Sequence, residues 1–475
     1  MPPVDAVLDW LKREEKHSIA RLFDWLRIPS ISTDPAYKQR TREAAEWAAA
    51  HLRESGFNVE LRDIGLPIGS GHPIVWATCN ESATGPHILF YGHYDVQPAD
   101  PLDLWHSGPF EPTIKPKEGE IGERIVARGA CDDKGQVMMF LEAVRAWKLA
   151  ANAVGGGVRL SILLEGEEES GSVNLERYLK DHAAELKSCD ACLISDTGML
   201  SREQPAITYG VRGLVYTEIK LHGADQDLHS GLWGGRAPNP NNELAKVLAG
   251  LWDADGRVTI LGFYDDVRPL TDVERDAWKR LPFSAADELK KIGLPPEADR
   301  GEKGYSAMER EWARPTAEIN GIFGGYTGAG AKTVIPAHAS AKVSFRLVAD
   351  QDPATIRDAF FVWCKSRTPP GCRWEFHDHS GGNPATVRTD SKFLTAAADA
   401  VQHATGKRPV LIKSGGSIPV AGMLKSIANL ETIFMGFGLN DDRIHSPNEK
   451  FELECYRMGA RSHALFIAEL VEMRR

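Results

Sequence analysis

The 475-residue sequence predicts an α/β protein: a doubly wound mixed sheet interrupted by an inserted α+β, ferredoxin-like layer. Three observations carry this reading. Buried-strand runs alternate with amphipathic helices up to about residue 206, the mark of a sheet covered on both faces. The pattern then shifts to strands of strict period two. Beyond about residue 386 the first pattern returns. The sheet domain is therefore expected in two parts, 1–206 and 385–475, with the inserted domain at 207–384.

Each element follows in chain order. Over residues 4–27, Val7, Leu8, Leu11, Ile19, Leu22, Phe23 and Leu26 recur with helical spacing until Pro29 stops them. A helix-like stretch at 40–55 precedes the short apolar runs NVELRDI, PIVWATC and HILFYGH. QVMMFLEAVRAWKL at 136–149 reads as a helix, VRLSILLEGE as a buried strand, VNLERYLKDHAAEL as a helix and ACLISD as a strand. In the insert, VYTEIKLHG alternates, NNELAKVLAGLWD is helical, and 255–313 is polar and helix-leaning without clear strands. SAKVSFRLV alternates cleanly, with Ala341, Val343, Phe345 and Leu347 on one face. PATIRDAFFVWCKSR is a helix and RWEFHDH a strand. The last part gives a helix at 390–405, strands PVLIK and ETIFMGF, and a helix at 452–474.

Composition narrows the class. An apolar content of 42% with 26% charged residues is that of a soluble globular chain. A net charge of −10 repels phosphate backbones, so no nucleic-acid partner is expected. Charges interrupt the first 30 residues, which leaves no secretory core, and no run reaches the roughly 20 apolar residues of a membrane span. Seven cysteines in this length do not form a disulfide framework, and Cys189 and Cys192 lie in or beside a strand with no second pair for zinc. The expected compartment is the cytoplasm.

The chemistry sits where apolar strands end. HILFYGHYD delivers His93 and Asp95, and RIVARGACDDKG delivers Asp132 and Asp133 before a helix. SILLEGEEESGS ends in Glu167, Glu168 and Glu169, ACLISDT in Asp196, and ETIFMGFGLNDDRIHSP brings His445. Open α/β sheets build sites at the carboxyl ends of their strands. Taken singly, each motif is cheap: Asp132 and Asp133 could cap a helix, and the His377-x-His379 pair, His106 and His403 read as surface histidines. Jointly they crowd like charges that only cations neutralise. Imidazole and carboxylate donors suit zinc, manganese or cobalt. A carboxylate can bridge two such ions about 3.5–4 Å apart, and one carboxylate left unligated can take a proton from water.

GHYDVQP, ARGACDDKG, EGEEESGS, SDT, DLHSGLWGG, KTVIP, GGSIP and HSPNE, in this order, span essentially the whole chain. The sequence resembles the co-catalytic metallopeptidases that include carnosinase-like and Cys-Gly dipeptidases, glutamate carboxypeptidase and aminoacylase. YGVRG, DLHSGLWGG and the long insert after residue 254 place it nearest the dipeptidase branch.

The resemblance implies two divalent cations per subunit, zinc before manganese or cobalt, and hydrolysis of dipeptides or similar small amides with a free carboxylate. Its alternatives are an N-acyl amino acid amidohydrolase, a carboxypeptidase, or an inactive metal-binding scaffold. Asp132 resembles the bridging carboxylate, with His93 and Asp196 completing one metal and Glu169 and His445 the other. Glu168 resembles the general base, and Asp95 the carboxylate that orients His93. A cis peptide is implied after Asp132. His229 resembles an oxyanion-stabilising histidine lent by the partner of a homodimer formed through the inserted lid domain. Arg346 resembles the arginine that reads the substrate carboxylate, with Thr333, Gly416 and Ser417 beside it. Lys413 and Ser414 stand where relatives often carry Arg-Glu, which removes a carboxylate from the substrate's amino end.

Overall fold

A computed structural model describes residues 4–81 and 83–473. The chain forms two compact units: residues 1–209, 387–412 and 423–475 in one, and 210–386 with 413–422 in the other.

The larger unit is built on a mixed sheet. Its strands run in the order Asn58–Arg62, Ile74–Cys79, Arg159–Glu165, His87–His93, Ala191–Ile194, Glu431–Phe434 and Ala206–Val211. The four central strands, from Arg159–Glu165 to Glu431–Phe434, are parallel, and antiparallel strands flank them. All seven residues of His87–His93 are buried, as expected of a parallel strand covered on both faces. The helix Lys134–Ala151 stacks Phe140 on Phe90 of that strand at 3.8 Å between ring centroids. The terminal helix Leu453–Glu472 packs against this helix and against Lys392–Thr405. Residue 474 of the expected last helix lies outside the described residues.

The smaller unit carries a four-stranded antiparallel sheet in the order Thr316–Gly324, His338–Leu347, Gly213–His222, Arg373–Gly382. With the helices Pro240–Ala249 and Pro353–Lys365 this is strand–helix–strand–strand–helix–strand, the ferredoxin-like arrangement. Ala341, Val343, Phe345 and Leu347 are fully buried, and each large side chain of this kind contributes about 1.5–3 kcal/mol. Thr316–Gly324 is a strand that the sequence pattern did not show. Its residues are mostly exposed and a register shift falls between Ile319 and Gly321, so it has no clean apolar alternation. The segment 413–422 also departs from expectation, because it clusters with the smaller unit rather than with 385–475. Its Gly415, Gly416 and Ser417 accept hydrogen bonds from Arg212 and Arg346, which ties it there.

Candidate metal centre

His93 is the last residue of its strand and is wholly buried. Its Nδ1 lies 3.1 Å from the main-chain oxygen of Asp95 and 3.4 Å from Asp95 Oδ1. That contact fixes the ring and turns Nε2 toward carboxylates: Asp132 Oδ1 at 3.1 Å and Asp196 Oδ2 at 3.9 Å. Asp132 precedes the helix Lys134–Ala151, and the Asp132–Asp133 peptide is cis. Gly135 in this turn admits no side chain, because a Cβ would lie 1.8 Å from the oxygen of Ala130. Asp196 follows the end of Ala191–Ile194 by two residues. Glu169 sits in a 3-10 turn beyond Arg159–Glu165. His445 adopts a left-handed backbone, φ 60°, on the loop after Glu431–Phe434. Its Nε2 reaches Asp132 Oδ2 at 2.9 Å and Glu169 Oε2 at 3.3 Å.

The donor atoms form two triads sharing Asp132: His93–Asp132–Asp196 and Asp132–Glu169–His445, each with atoms within 4.8 Å of one another. Their electrostatics fit divalent cations. Among the described residues no acceptor meets His93 Nε2 with hydrogen-bond geometry, despite its nearness to Asp132. Burial, reinforced by the Asp132 charge, pushes Asp196 up to about 7. Burial likewise opposes ionisation of Asp132, but His445 and His93 hold it well below the usual carboxylate range. Asp132 and Glu169 raise His445 to about 10. Such mutual distortion is costly in a structure without a cation, and an ion among these oxygens and imidazoles relieves it. Mixed N and O donors are those of zinc, manganese or cobalt.

Glu168 stands outside both triads. Burial drives its carboxyl well above the usual range, with the Asp196 and Glu169 charges adding to the shift. Asp95 also accepts a hydrogen bond from the main-chain N–H of Glu169 at 3.0 Å, so one carboxylate steadies a donor of each triad. Glu169 Oε2 accepts from Gln97 Nε2 at 2.7 Å. Glu167, the first of the acidic run, has a local role: it accepts from the N–H of His72 and Asn174 and from the Asn174 side chain.

Sequence reasoning passed over Glu449, although it lies in the HSPNE motif. It is fully buried, and its carboxylate accepts from the N–H groups of Gly129, Cys131 and Asp132 at 2.9, 2.9 and 3.0 Å and from Arg128 Nη1 at 2.8 Å. One side chain thereby binds the loop of Asp132 to the loop of His445, four residues upstream of it. The only available signal was a lone acid after a proline in a polar stretch.

The remaining candidate residues belong to the smaller unit. His229 is exposed and caps the short helix Ser230–Trp233, its Nδ1 accepting from Gly231 N at 3.0 Å. Thr333 is exposed, and its oxygen accepts from Ser230 N at 3.1 Å. Arg346 Nη1 donates to Ser417 Oγ at 2.7 Å. The oxygen of Gly416 accepts from Arg212 N at 3.0 Å. Ser414 Oγ accepts from Gly416 N at 3.1 Å, and Lys413 Nζ lies 3.2 Å from Glu274 on the helix Asp272–Lys279. His377 and His379 are exposed strand residues beside Glu375 and Glu218.

Comparison with known proteins adds the following. The family profile described as peptidase family M20/M25/M40 matches residues 89–469. The Cys-Gly metallodipeptidase DUG1 of Candida albicans is 32% identical over 97% of this chain and 96% of its own. The Beta-Ala-His dipeptidase of Homo sapiens is 30% identical over 99% of this chain and 94% of its own. The solved structure of the M20 family metallo-carboxypeptidase Sso-CP2 from Sulfolobus solfataricus superposes with a TM-score of 0.82 at 31% identity, covering 95% and 99% of the two chains.

Proposed function

The chain belongs to peptidase family M20/M25/M40, and from that premise we propose that it hydrolyses the peptide bond of dipeptides that carry a free terminal carboxylate. One observation carries this reading: two donor triads meet on the single carboxylate of Asp132. The named activities of the two dipeptidases, similar over nearly the full length, support the substrate class.

His93, Asp132 and Asp196 would hold one divalent cation, and Asp132, Glu169 and His445 a second. Two such cations would supply Lewis acidity for the scissile carbonyl and for a water nucleophile. Glu168 takes the proton of the attacking water and returns it to the departing amine. Asp95 holds the His93 ring. Arg346 pairs with the substrate's terminal carboxylate, Ser417, Gly416 and Thr333 bond the same end, and His229 stabilises the oxyanion.

Zinc is the first candidate metal, ahead of manganese or cobalt. The active form is a homodimer. Thr316–Gly324 is an edge strand exposing Ile322 and Phe323, and Leu232 and Trp233 are exposed on the His229 loop. A symmetric copy is the commonest cover for such surfaces. The compartment is the cytoplasm: the seven cysteines are all unpaired. No described helix is long and apolar enough to cross a membrane.

A carboxypeptidase or N-acyl amino acid amidohydrolase is the second reading. Ser414 favours it, because its hydroxyl is engaged by Gly416 N and leaves no carboxylate there for a substrate amine. A hydrolysis screen of metal-loaded protein separates the two. Free dipeptides, their N-acylated forms and their C-amidated forms are compared. Loss of turnover on C-amidation and on N-acylation supports the dipeptidase reading, and retention of N-acylated substrates supports the second.

A further inference from the structure

Arg212 and Arg346 line one cavity of about 970 Å³ in the smaller unit. Two other buried or half-buried arginines of its wall are neutralised: Arg310 by Asp299 at 2.5 Å and Arg314 by Glu302 at 2.6 Å. Arg212 and Arg346 are not. Among the described residues neither has a carboxylate oxygen within 4.0 Å. Arginine does not shed its proton to escape such a setting. Two partly desolvated guanidinium groups facing one cavity therefore favour an anion between them.

Their geometry brings the two forks together. Arg346 lies between Leu214 and Thr316 across the sheet. Arg212 Nη1 reaches Thr316 Oγ1 at 3.5 Å, beside Arg346. Arg212 Nε donates to Gly415 O at 2.9 Å and its main-chain N–H to Gly416 O at 3.0 Å, which sets the loop whose Ser417 accepts from Arg346. Burial, helped by the Arg346 charge, lowers the Arg212 guanidinium to about 10. Glu311 and Glu318 line the same cavity and act on Arg212 only from beyond ion-pair distance, so neither closes its fork. Among the described residues Arg212 Nη2 has no protein acceptor, and a planar fork of this kind matches a carboxylate.

We infer that Arg212 is a second carboxylate-binding arginine, forming with Arg346 one anion site for the terminal carboxylate of the substrate. This rests on the dipeptidase reading and extends it to a residue of the YGVRG motif. The consequence is a preference for a free carboxylate that neither arginine supplies alone.

The test measures binding at equilibrium in metal-loaded Glu168→Gln protein, which does not turn over. Glycylglycine and glycylglycinamide are titrated by calorimetry. The parent should bind the free acid on the order of ten- to a hundred-fold more tightly than the amide. Arg346→Gln and Arg212→Gln should each remove most of that preference while leaving the amide's affinity within about twofold. Arg212→Lys keeps the charge but loses the fork and the bond to Gly415, and should show a preference between those of the parent and of Arg212→Gln. An Arg212→Gln protein with the parental preference overturns the assignment, and so does an Arg212→Lys protein with the parental preference. The lysine variant alone decides if the glutamine variant does not fold. Failure of glycylglycine to bind the parent rejects the dipeptidase reading itself, whereas loss confined to Arg346 variants leaves that reading intact and removes Arg212 from it.

Discussion

The two carboxylate oxygens of Asp132 face different histidines: Oδ1 lies 3.1 Å from Nε2 of His93, and Oδ2 lies 2.9 Å from Nε2 of His445. One side chain thus belongs to both donor triads and sets their spacing. His93 and His445 are 352 positions apart in the chain (445 − 93), so only the folded sheet joins them. A shared carboxylate is the arrangement that a two-cation hydrolytic site requires.

Glu168 and Glu169 are adjacent but should separate chemically. Glu168→Gln should retain its metal and lose kcat by a factor on the order of 10²–10⁴, the scale of a general base. Glu169→Ala should lose metal from the triad with His445. Elemental analysis beside kinetics checks both, and the reverse pattern would exchange their roles.

Glu449 touches no reacting group in this scheme, yet its removal should cost metal affinity. Glu449→Ala strands three buried main-chain N–H groups and Arg128 Nη1, at about 1–3 kcal/mol per unpaired donor. Glu449→Gln also fails, because its amide turns a donor toward donors. Competition with a chelator should show weaker binding in folded variant protein. A lower melting temperature with unchanged metal affinity would limit Glu449 to general stability.

Metal should stabilise the fold more as pH rises. In metal-free protein Asp196 is raised from 3.8 to about 7, so its proton favours the folded state at low pH and that benefit is lost as pH rises through 7. His445 is raised from 6.5 to about 10, so its favourable charge is present below 6.5 and lost on the way to 10. Both contributions decline with rising pH, and cations compete with the same protons. Apparent affinity should therefore tighten by roughly tenfold per pH unit for each proton displaced. Melting curves with and without metal at about pH 5.5 and about pH 8 measure this. A larger metal-induced shift at the lower pH contradicts it.

His229 should serve the partner's site. Inactive His229→Ala and Glu168→Ala chains, mixed under subunit exchange, give half mixed dimers, each with one of two sites restored. Activity should recover to about a quarter of wild type for independent sites of a symmetric pair. No recovery after confirmed exchange places His229 on its own chain's site or outside catalysis.

Legibility in the sequence followed a physical rule. His93 and Asp196 could be read because buried parallel strands are unbroken apolar runs, and a polar residue at the end of one is conspicuous. Asp132 and His445 were read in the same way past strand ends but lie on loops, and only the resemblance to known motifs gave them roles. Glu449 escaped notice because its partners are main-chain N–H groups, which carry no sequence signal. Arg212 escaped for a related reason: its partners Gly415 and Thr316 are remote from it in sequence. The strand Thr316–Gly324 was hidden by its exposed residues and its bulge. The placement of 413–422 with the smaller unit depends on contacts remote in sequence.

The most direct test of the shared-carboxylate centre is a metal titration of stripped protein with dipeptide hydrolysis followed at every step. The account predicts no hydrolysis without metal, two equivalents bound per chain at full activity, and neither tight binding nor turnover in Asp132→Ala protein. Full hydrolysis by metal-free protein, or two tightly bound ions in Asp132→Ala protein, would contradict it.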